Sequence, residues 1–419
     1  MVLTVYTMLF SFPKLWRSVL GRHHIKEVYP FLDMKGRLAH MQAYAMGIDV
    51  YTTPNPLDPL YRKNDKPSFT LSLGRLGLGV RHAILAGIIF VVTTIVGSLL
   101  IVRPKTWLQV AIATLVICSP PVLLAIERAN DDIIIYSFLL FVPFFMSLNS
   151  LIYHFFGFLI VSLLTPIKYY PLMAFSAIIY SGKSTQKKIL WLIASILFVI
   201  LFLIVSYQEI TFLSSRIPSP TGSITFGSPR TMGYMISSLH MNPSWLNILV
   251  LLYIFILIAS GILLALSERS APLVDITTTA KEAEILYFLM GVSILNFCFF
   301  SNTNFDYRFI FWIFTLPLLF HMINESKNRN MSCFWVYLMI WISIIAMWVP
   351  WIYLYVKQTD WISGDSLLLA IDFSALVFRN FLIWLPISFS TVFFSLIFTR
   401  KLLGNFRLRS VSEWYKAVR

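Results

Sequence analysis

The chain has 419 residues, of which 58% are hydrophobic and 12% charged, and its mean hydropathy is +0.76. A soluble globular domain carries roughly 25% charged residues, so this composition argues against a soluble enzyme and indicates an integral membrane protein. The formal net charge of +14 would suit nucleic-acid binding. However, the lysines and arginines lie mainly between apolar runs and in the C-terminal segment, which favours a membrane protein instead.

Several apolar runs are long enough to approach the ~20 residues that a bilayer core requires. The N-terminus lacks a cleavable signal pattern; we expect a short first span at Met1–Phe12, or the end of one that begins upstream, followed by an interfacial helix before Pro30. The longer runs are Ala83–Val102, Trp107–Ile126, Ile189–Ser206, Leu246–Leu266, Ile285–Ser301 and Cys333–Val356.

The basic C-terminal tail sets the expected topology, because positive charge favours the cytoplasmic side. Counting spans back from the tail, Asp131–Gly182 is either two long helices or three short ones. Three, with turns near Asn149 and at Pro166–Lys168, gives about twelve spans with both ends cytoplasmic. We therefore predict an all-α polytopic membrane protein with one transmembrane domain (1–398), extracytoplasmic loops at 24–82 and 207–245, and a cytoplasmic tail at 399–419.

A polar segment between the first two expected spans interrupts this apolar pattern. Three aspartates lie there among several glycine and proline residues, in a stretch too polar to cross a bilayer. We predict a loop, held by membrane helices at one surface, where a carboxylate from it does chemistry. The residues are Asp33, Asp49 and Asp58, with Gly47, Pro54, Pro56 and Pro59.

Three further polar islands are expected on the same side of the membrane. Ser119–Asp132 contains two prolines that break a helical hydrogen-bond ladder, and it predicts a cavity wall. Lys168 lies between two prolines and either snorkels to the interface or binds an anion. Asp306 and Arg308 lie in a tight loop and form either a local ion pair or part of a site.

The sequence shows no CxxC, HExxH, Walker or dinucleotide-binding glycine pattern. Asp131-Asp132 is the nearest approach to a metal motif and is weak, so we expect no metal and no cofactor. The cysteines lie in apolar segments, which indicates that they pack against other apolar side chains. We expect the histidines to lie at the interface or to pack in the core. These residues are Cys118, Cys298, Cys333, His23, His24 and His154.

Carboxylates and cations that converge on one face suit the transfer of a sugar from a lipid phosphate to a hydroxyl. A carboxylate accepts the proton of the attacking hydroxyl, and cations stabilise the charge that develops on the leaving phosphate. A single carboxylate suffices for inversion, whereas a retaining route requires two close carboxylates. The residue pattern leaves both routes open.

Five blocks in order carry a specific resemblance over residues 30 to 320. The chain resembles bacterial glycosyltransferase family 87, of the GT-C superfamily of polytopic membrane enzymes. The blocks are Asp33…Gly47-Ile-Asp49-Val-Tyr51, Asn55-Pro-Leu-Asp58-Pro59…Arg62, Ser119-Pro-Pro-Val-Leu-Leu-Ala-Ile-Glu127-Arg128-Ala-Asn130-Asp131-Asp132, Lys168-Tyr-Tyr-Pro171 and Asn304-Phe-Asp306-Tyr307-Arg308.

The resemblance implies a metal-independent, inverting transferase that takes a sugar from a polyprenyl-phosphate donor on the outer face of the cytoplasmic membrane. The expected acceptor is a lipid-linked or polysaccharide hydroxyl. Asp33 matches the general base. The remaining matches are Arg128, Lys168 and Arg308 near the donor phosphate or acceptor, Glu127, Asn130 and Asp132 in a polar wall, Asp306 in the last block, and Asp49 and Asp58 in the folded part of the first loop.

Two other classes of protein remain as alternatives. A polymerase or ligase of surface polysaccharide would use paired arginines in large external loops, for which Arg216 and Arg230 are the candidates. A lipid or solute transporter would carry charged residues at mid-span. Expected partners are the sugar donor, the acceptor and membrane lipids, and not nucleic acid.

Overall fold

The computed structural model describes residues 30–148, 150–214, 225–229, 233, 242–267, 271–301, 304–358 and 365–403. The expected first span at Met1–Phe12 and the interfacial helix before Pro30 lie outside the described residues. So do His23, His24, Arg216, Arg230 and the tail beyond Leu403.

The described chain is almost entirely helical, since a segment surrounded by lipid must satisfy its backbone hydrogen bonds internally. The α-helices are α1 (Leu32–Ala45), α2 (Ser68–Ser72), α3 (Ala83–Val102), α4 (Trp107–Ile117), α5 (Pro120–Arg128), α6 (Asp131–Leu139), α7 (Phe141–Ser147), α8 (Leu151–Leu164), α9 (Phe175–Ser181), α10 (Thr185–Ser214), α11 (Pro243–Leu266), α12 (Ala271–Thr278), α13 (Glu282–Ser301), α14 (Leu316–Asn328), α15 (Phe334–Gln358) and α16 (Asp365–Leu403).

Short elements of other types connect these helices. Strands β1 (Thr225–Phe226) and β2 (Asn304–Phe305) pair antiparallel, with Thr225 opposite Phe305. The 3₁₀ helices are Leu73–Leu76, Val80–His82, Tyr170–Ala174 and Asp306–Thr315.

Within the described residues, six helices are long and apolar enough to cross a membrane, and a bent pair would make a seventh. Several helices of this length and hydrophobicity indicate an α-helical, multi-pass membrane protein. The six are Val80–Val102, Thr185–Leu213, Ser244–Leu266, Glu282–Ser301, Asp306–Asn328 and Leu382–Lys401.

Prolines break the span expected at Trp107–Ile126. α4 ends at Ile117 and α5 begins at Pro120, with a bend of 51° between them. In the region 131–182, α7 ends at Ser147 and α8 begins at Leu151, and a second interruption at 165–169 separates α8 from the following 3₁₀ helix. These ends lie near the two turns that were expected.

Two loop predictions were wrong in their boundaries, and a third predicted loop contains a helix that the sequence analysis did not predict. Asp33 lies in the first turn of that helix, α1, because the strong breakers of the segment all follow Ala45. The loop expected from Tyr207 begins later, since α10 continues to Ser214 and the first proline comes at Pro218. Asp306 and Arg308 belong to a ten-residue 3₁₀ helix rather than a tight loop.

The core packs around α13. Phe288, Leu289 and Met290 are fully buried. At Gly291 a Cβ atom would lie 2.7 Å from the carbonyl oxygen of Phe311, so the Asp306–Thr315 helix approaches α13 as closely as backbones allow. This contact fixes the position of Arg308 at the start of the same 3₁₀ helix.

Candidate active site at the convergence of helix ends

Asp33 lies where α1 meets the turn between α5 and α6. Its Oδ2 accepts a hydrogen bond from Asn130 Nδ2 at 2.8 Å and lies 3.7 Å from Arg128 Nη1. Its Oδ1 lies 3.3 Å from Arg62 Nη1. The Asp33 side chain keeps 15% of its surface exposed, so the carboxylate is held by two hydrogen-bond donors and an ion pair with Arg128 and is still accessible.

Asp58 and Gly36 hold Arg62 in place beside Asp33. The buried Asp58 carboxylate accepts bonds from Arg62 Nε at 2.8 Å, from its Nη2 at 3.2 Å and from its backbone N–H at 3.1 Å. A Cβ atom at Gly36 would lie 2.1 Å from Arg62 Nη2, so only glycine leaves room for the guanidinium to cross α1. Asp58 therefore positions the Arg62 guanidinium, which in turn contacts Asp33.

A left-handed residue at Ala129 produces the turn that presents Arg128 and Asn130. Ala129 has φ 44°, a conformation that strains any residue with a Cβ atom. Asn130 then caps α6 by accepting the Asp132 N–H at 3.1 Å, and its Oδ1 also accepts from Lys168 Nζ at 3.3 Å. The Asn130 amide thus connects Asp33 to Lys168.

A second group of charges lies deeper in the protein. Asp132 is fully buried and pairs with Lys168 Nζ at 2.8 Å, with Arg308 and with the Tyr170 hydroxyl. Asp131 pairs with Arg37 Nη2 at 2.5 Å. The Arg308 guanidinium also lies 4.8 Å from the centroid of the Tyr170 ring, a cation–π contact.

The pKa of Asp33 reflects opposing influences. Burial raises the pKa of this carboxyl, but Arg128, the Asn130 hydrogen bond and Arg62 lower it by more, so its pKa lies below the ordinary value of 3.8. Burial lowers the pKa of Lys168, and Asp131 opposes that effect. Asp33 is therefore an ionised carboxylate at neutral pH.

The structure separates the predicted site residues into three sets. Asp33, Arg128, Asn130, Lys168, Asp132 and Arg308 form one connected network. Glu127 and Asp306 are buried beside it, and Asp58 joins it through Arg62. Asp49 is exposed and accepts hydrogen bonds from the N–H groups of Tyr51 and Thr52 at 3.0 and 3.4 Å, which is a turn cap.

The sequence assigned no role to several residues that the structure brings to the site. Arg62 and Tyr170 belong to two of the five blocks that carry the family resemblance. The charge of Arg62 and the hydroxyl of Tyr170 could have identified them as candidate site residues. Arg37 and Gly36 had no signal until α1 was known to be a helix, because only helical spacing brings Arg37 to Asp131 and Gly36 under Arg62. Lys66 also approaches, with Nζ 2.9 Å from Asp65 and 4.0 Å from Asp131.

Three guanidinium Nε atoms at the site have no hydrogen-bond partner within the described chain. They are the buried Nε atoms of Arg37, Arg128 and Arg308. A buried N–H without an acceptor costs about 1–3 kcal/mol, so an anion that accepts from these donors would be favoured. Among the described residues, no group of three or more His, Cys, Asp or Glu side chains has the geometry of a metal site.

No protein-family model, curated protein or solved structure matches this chain.

Proposed function

We propose that this protein is an inverting glycosyltransferase that transfers a sugar from a polyprenyl-phosphate donor to a hydroxyl, with Asp33 as the general base. The observation that carries the proposal is the accessible Asp33 carboxylate beside Arg128 and Arg62, next to a network that includes Lys168 and Arg308. The proposal includes a GT-C-like bundle of about twelve spans and a site on the outer face of the cytoplasmic membrane.

In the proposed reaction the acceptor hydroxyl oxygen attacks C1 of the sugar as the bond from C1 to the phosphate oxygen breaks. The hydroxyl proton passes to Asp33, and the leaving phosphate keeps the electron pair of the broken bond. Arg128 and Lys168 stabilise the negative charge on that phosphate. A single displacement at C1 inverts its configuration, and the chemistry uses one carboxylate.

In this proposal the donor phosphate itself makes Asp33 a stronger base. A carboxylate whose pKa is held low is a weak base, and general bases work best with a pKa near the working pH. Arg128 is 25% exposed, and its 3.7 Å contact with Asp33 is the longest that this carboxylate makes. A phosphate that binds Arg128 would weaken that contact and make Asp33 more basic.

The test is the transfer of radiolabelled sugar from polyprenyl-phosphate sugar in membranes that contain the protein. Asp33→Asn should reduce transfer by about 10²–10⁴-fold, the usual contribution of a general base. Asp275→Asn is the matched control, because Asp275 is an exposed carboxylate on α12. Transfer at the wild-type rate in the folded Asp33→Asn protein would refute the assignment of the base.

A further inference from the structure

A cavity of about 500 Å³ lies between the start of α2, the end of α8 with the residues that follow it, and residues 198–209 of α10. Two of its lining residues adjoin cations of the site, since Tyr169 follows Lys168 and Pro67 follows Lys66. Its other face is apolar and includes Phe202 of α10, 5.8 Å from the Tyr169 ring between centroids. The cavity therefore joins the charged network to an apolar helix surface.

Two residues that line this cavity carry hydroxyl groups without partners. They are Ser162 and Tyr169, whose hydroxyl oxygens are buried and have no hydrogen-bond partner in the described part of the chain. Glu209 Oε1, on the same lining, accepts the Ser68 N–H at 2.6 Å. Because native proteins satisfy nearly all buried polar atoms, the two buried hydroxyl groups indicate a bound polar ligand.

The charge of the residues that line the cavity favours an uncharged ligand over an anion. Among the described residues, Glu209 is the only charged one that lines the cavity, so a phosphate placed there would be repelled. Burial and the neighbouring Glu209 raise the pKa of Tyr169 to about 12, so its hydroxyl is protonated and can donate. A carboxylate, a serine and a tyrosine hydroxyl together suit an uncharged ligand with several hydroxyl groups.

We propose that this cavity binds the hydroxyl-bearing sugar head group of a lipid-linked acceptor, whose apolar chain follows the exposed face of α10. Leu201 and Val205 line the cavity and are 61% and 75% exposed, which provides an apolar path for the chain. The inference rests on the proposed function and adds to it the class and the place of the acceptor. The donor phosphate would stay with Arg128 and Lys168, outside this cavity.

The experiment measures lipid retention by native mass spectrometry, without any transfer reaction. The protein is placed in phosphatidylcholine nanodiscs that contain either monoglucosyl diacylglycerol or phosphatidic acid with the same acyl chains. Wild type should retain the glucosyl lipid more than phosphatidic acid. Tyr169→Phe should retain the glucosyl lipid about three- to tenfold less, the equivalent of one hydrogen bond.

Tyr153→Phe is the matched control, because Tyr153 is an exposed ring on α8 that stacks on Phe145, away from the cavity lining. Thermal unfolding of Tyr169→Phe should match wild type, since its hydroxyl makes no protein hydrogen bond within the described residues. Ser162→Ala should weaken retention in the same direction and serves as the independent variant.

Three results would overturn the inference: no retention of the glucosyl lipid by wild type, equal retention by wild type and Tyr169→Phe, or retention of phosphatidic acid that depends on Tyr169. Dependence of glucosyl-lipid retention on Tyr169 in a protein that transfers no sugar would support the cavity's assignment and refute the proposed function. Normal sugar transfer by Tyr169→Phe would refute the cavity's assignment and leave the proposed function intact.

Discussion

The two groups of ion pairs at the site differ in their exposure. In the inner group Asp132 is fully buried and Arg308 is 9% exposed, and the two are in direct contact. In the outer group Asp33, Arg128 and Arg62 are 15%, 25% and 37% exposed, and Asp33 lies 3.3–3.7 Å from the two cations. Buried pairs are costly to break, whereas exposed pairs contribute little to stability. The inner group therefore supports the fold, and the outer group can rearrange around a ligand.

Removal of Asp132 tests the inner group and should have the largest effect. Asp132→Ala leaves Lys168 and Arg308 without their buried carboxylate and should destabilise the protein by about 3–5 kcal/mol. Thermal unfolding in detergent and the yield of monodisperse protein measure this loss. The exposed Asp275→Ala variant is the control and should unfold as wild type does. An Asp132→Ala protein that unfolds at the wild-type temperature would show that the inner pairs do not support the fold.

Gly36→Ala tests the outer group with a single methyl group. The new Cβ atom would overlap Arg62 Nη2, so the guanidinium must move away from Asp33 while Asp132 and its partners stay in place. We expect sugar transfer to fall about tenfold and the unfolding temperature to change far less than in Asp132→Ala.

A double-mutant cycle identifies the cause of the Gly36→Ala effect. If the methyl group acts through Arg62, Gly36→Ala combined with Arg62→Gln should be no slower than Arg62→Gln alone. Additive losses in the double variant would mean that Gly36 affects the site by another route.

The sequence predicted the positions of the polar segments more reliably than their local conformation. Polar islands in an apolar chain were visible as composition, and the structure joins residues from all of them, from Asp33 to Arg308. The conformation of α1 was missed because Gly47 and the prolines after it dominated the whole segment, whereas Leu32–Ala45 contains mainly residues that tolerate helix well. Contacts such as Arg37 with Asp131 depend on that helix and could not be predicted without it.

The division into a buried and an accessible group also could not be predicted from sequence. Asp132 and Asp33 are both aspartates in polar islands, and each was assigned to the site. Only packing distinguishes them, since Tyr170 and Arg308 enclose Asp132 while the Asp33 side chain stays partly open. The role of Asp58 was hidden for a similar reason, because its effect on Asp33 passes through Arg62.

Arg128→Gln should produce the smallest effect, a change in pH dependence. Burial raises the pKa of Asp33, and Arg128 is the largest of the influences that lower it. Because the net pKa is lowered by folding, Asp33 contributes stability that is present above the unfolded pKa of about 3.9 and is lost as pH falls through the folded pKa. Without Arg128 the folded pKa rises, so the stability that Asp33 contributes becomes smaller and its loss is complete at a higher pH.

Labelling of Asp33 by dicyclohexylcarbodiimide measures that shift directly, because the reagent attacks the protonated carboxyl. Mass spectrometry of the Asp33 peptide at a series of pH values should show labelling that extends to higher pH in Arg128→Gln than in wild type. Arg75→Gln is the control, since Arg75 lies over the Tyr44 ring rather than beside Asp33. Identical labelling curves for wild type and Arg128→Gln would mean that Arg128 does not hold Asp33 ionised, and a phosphate that binds Arg128 could not then activate the base.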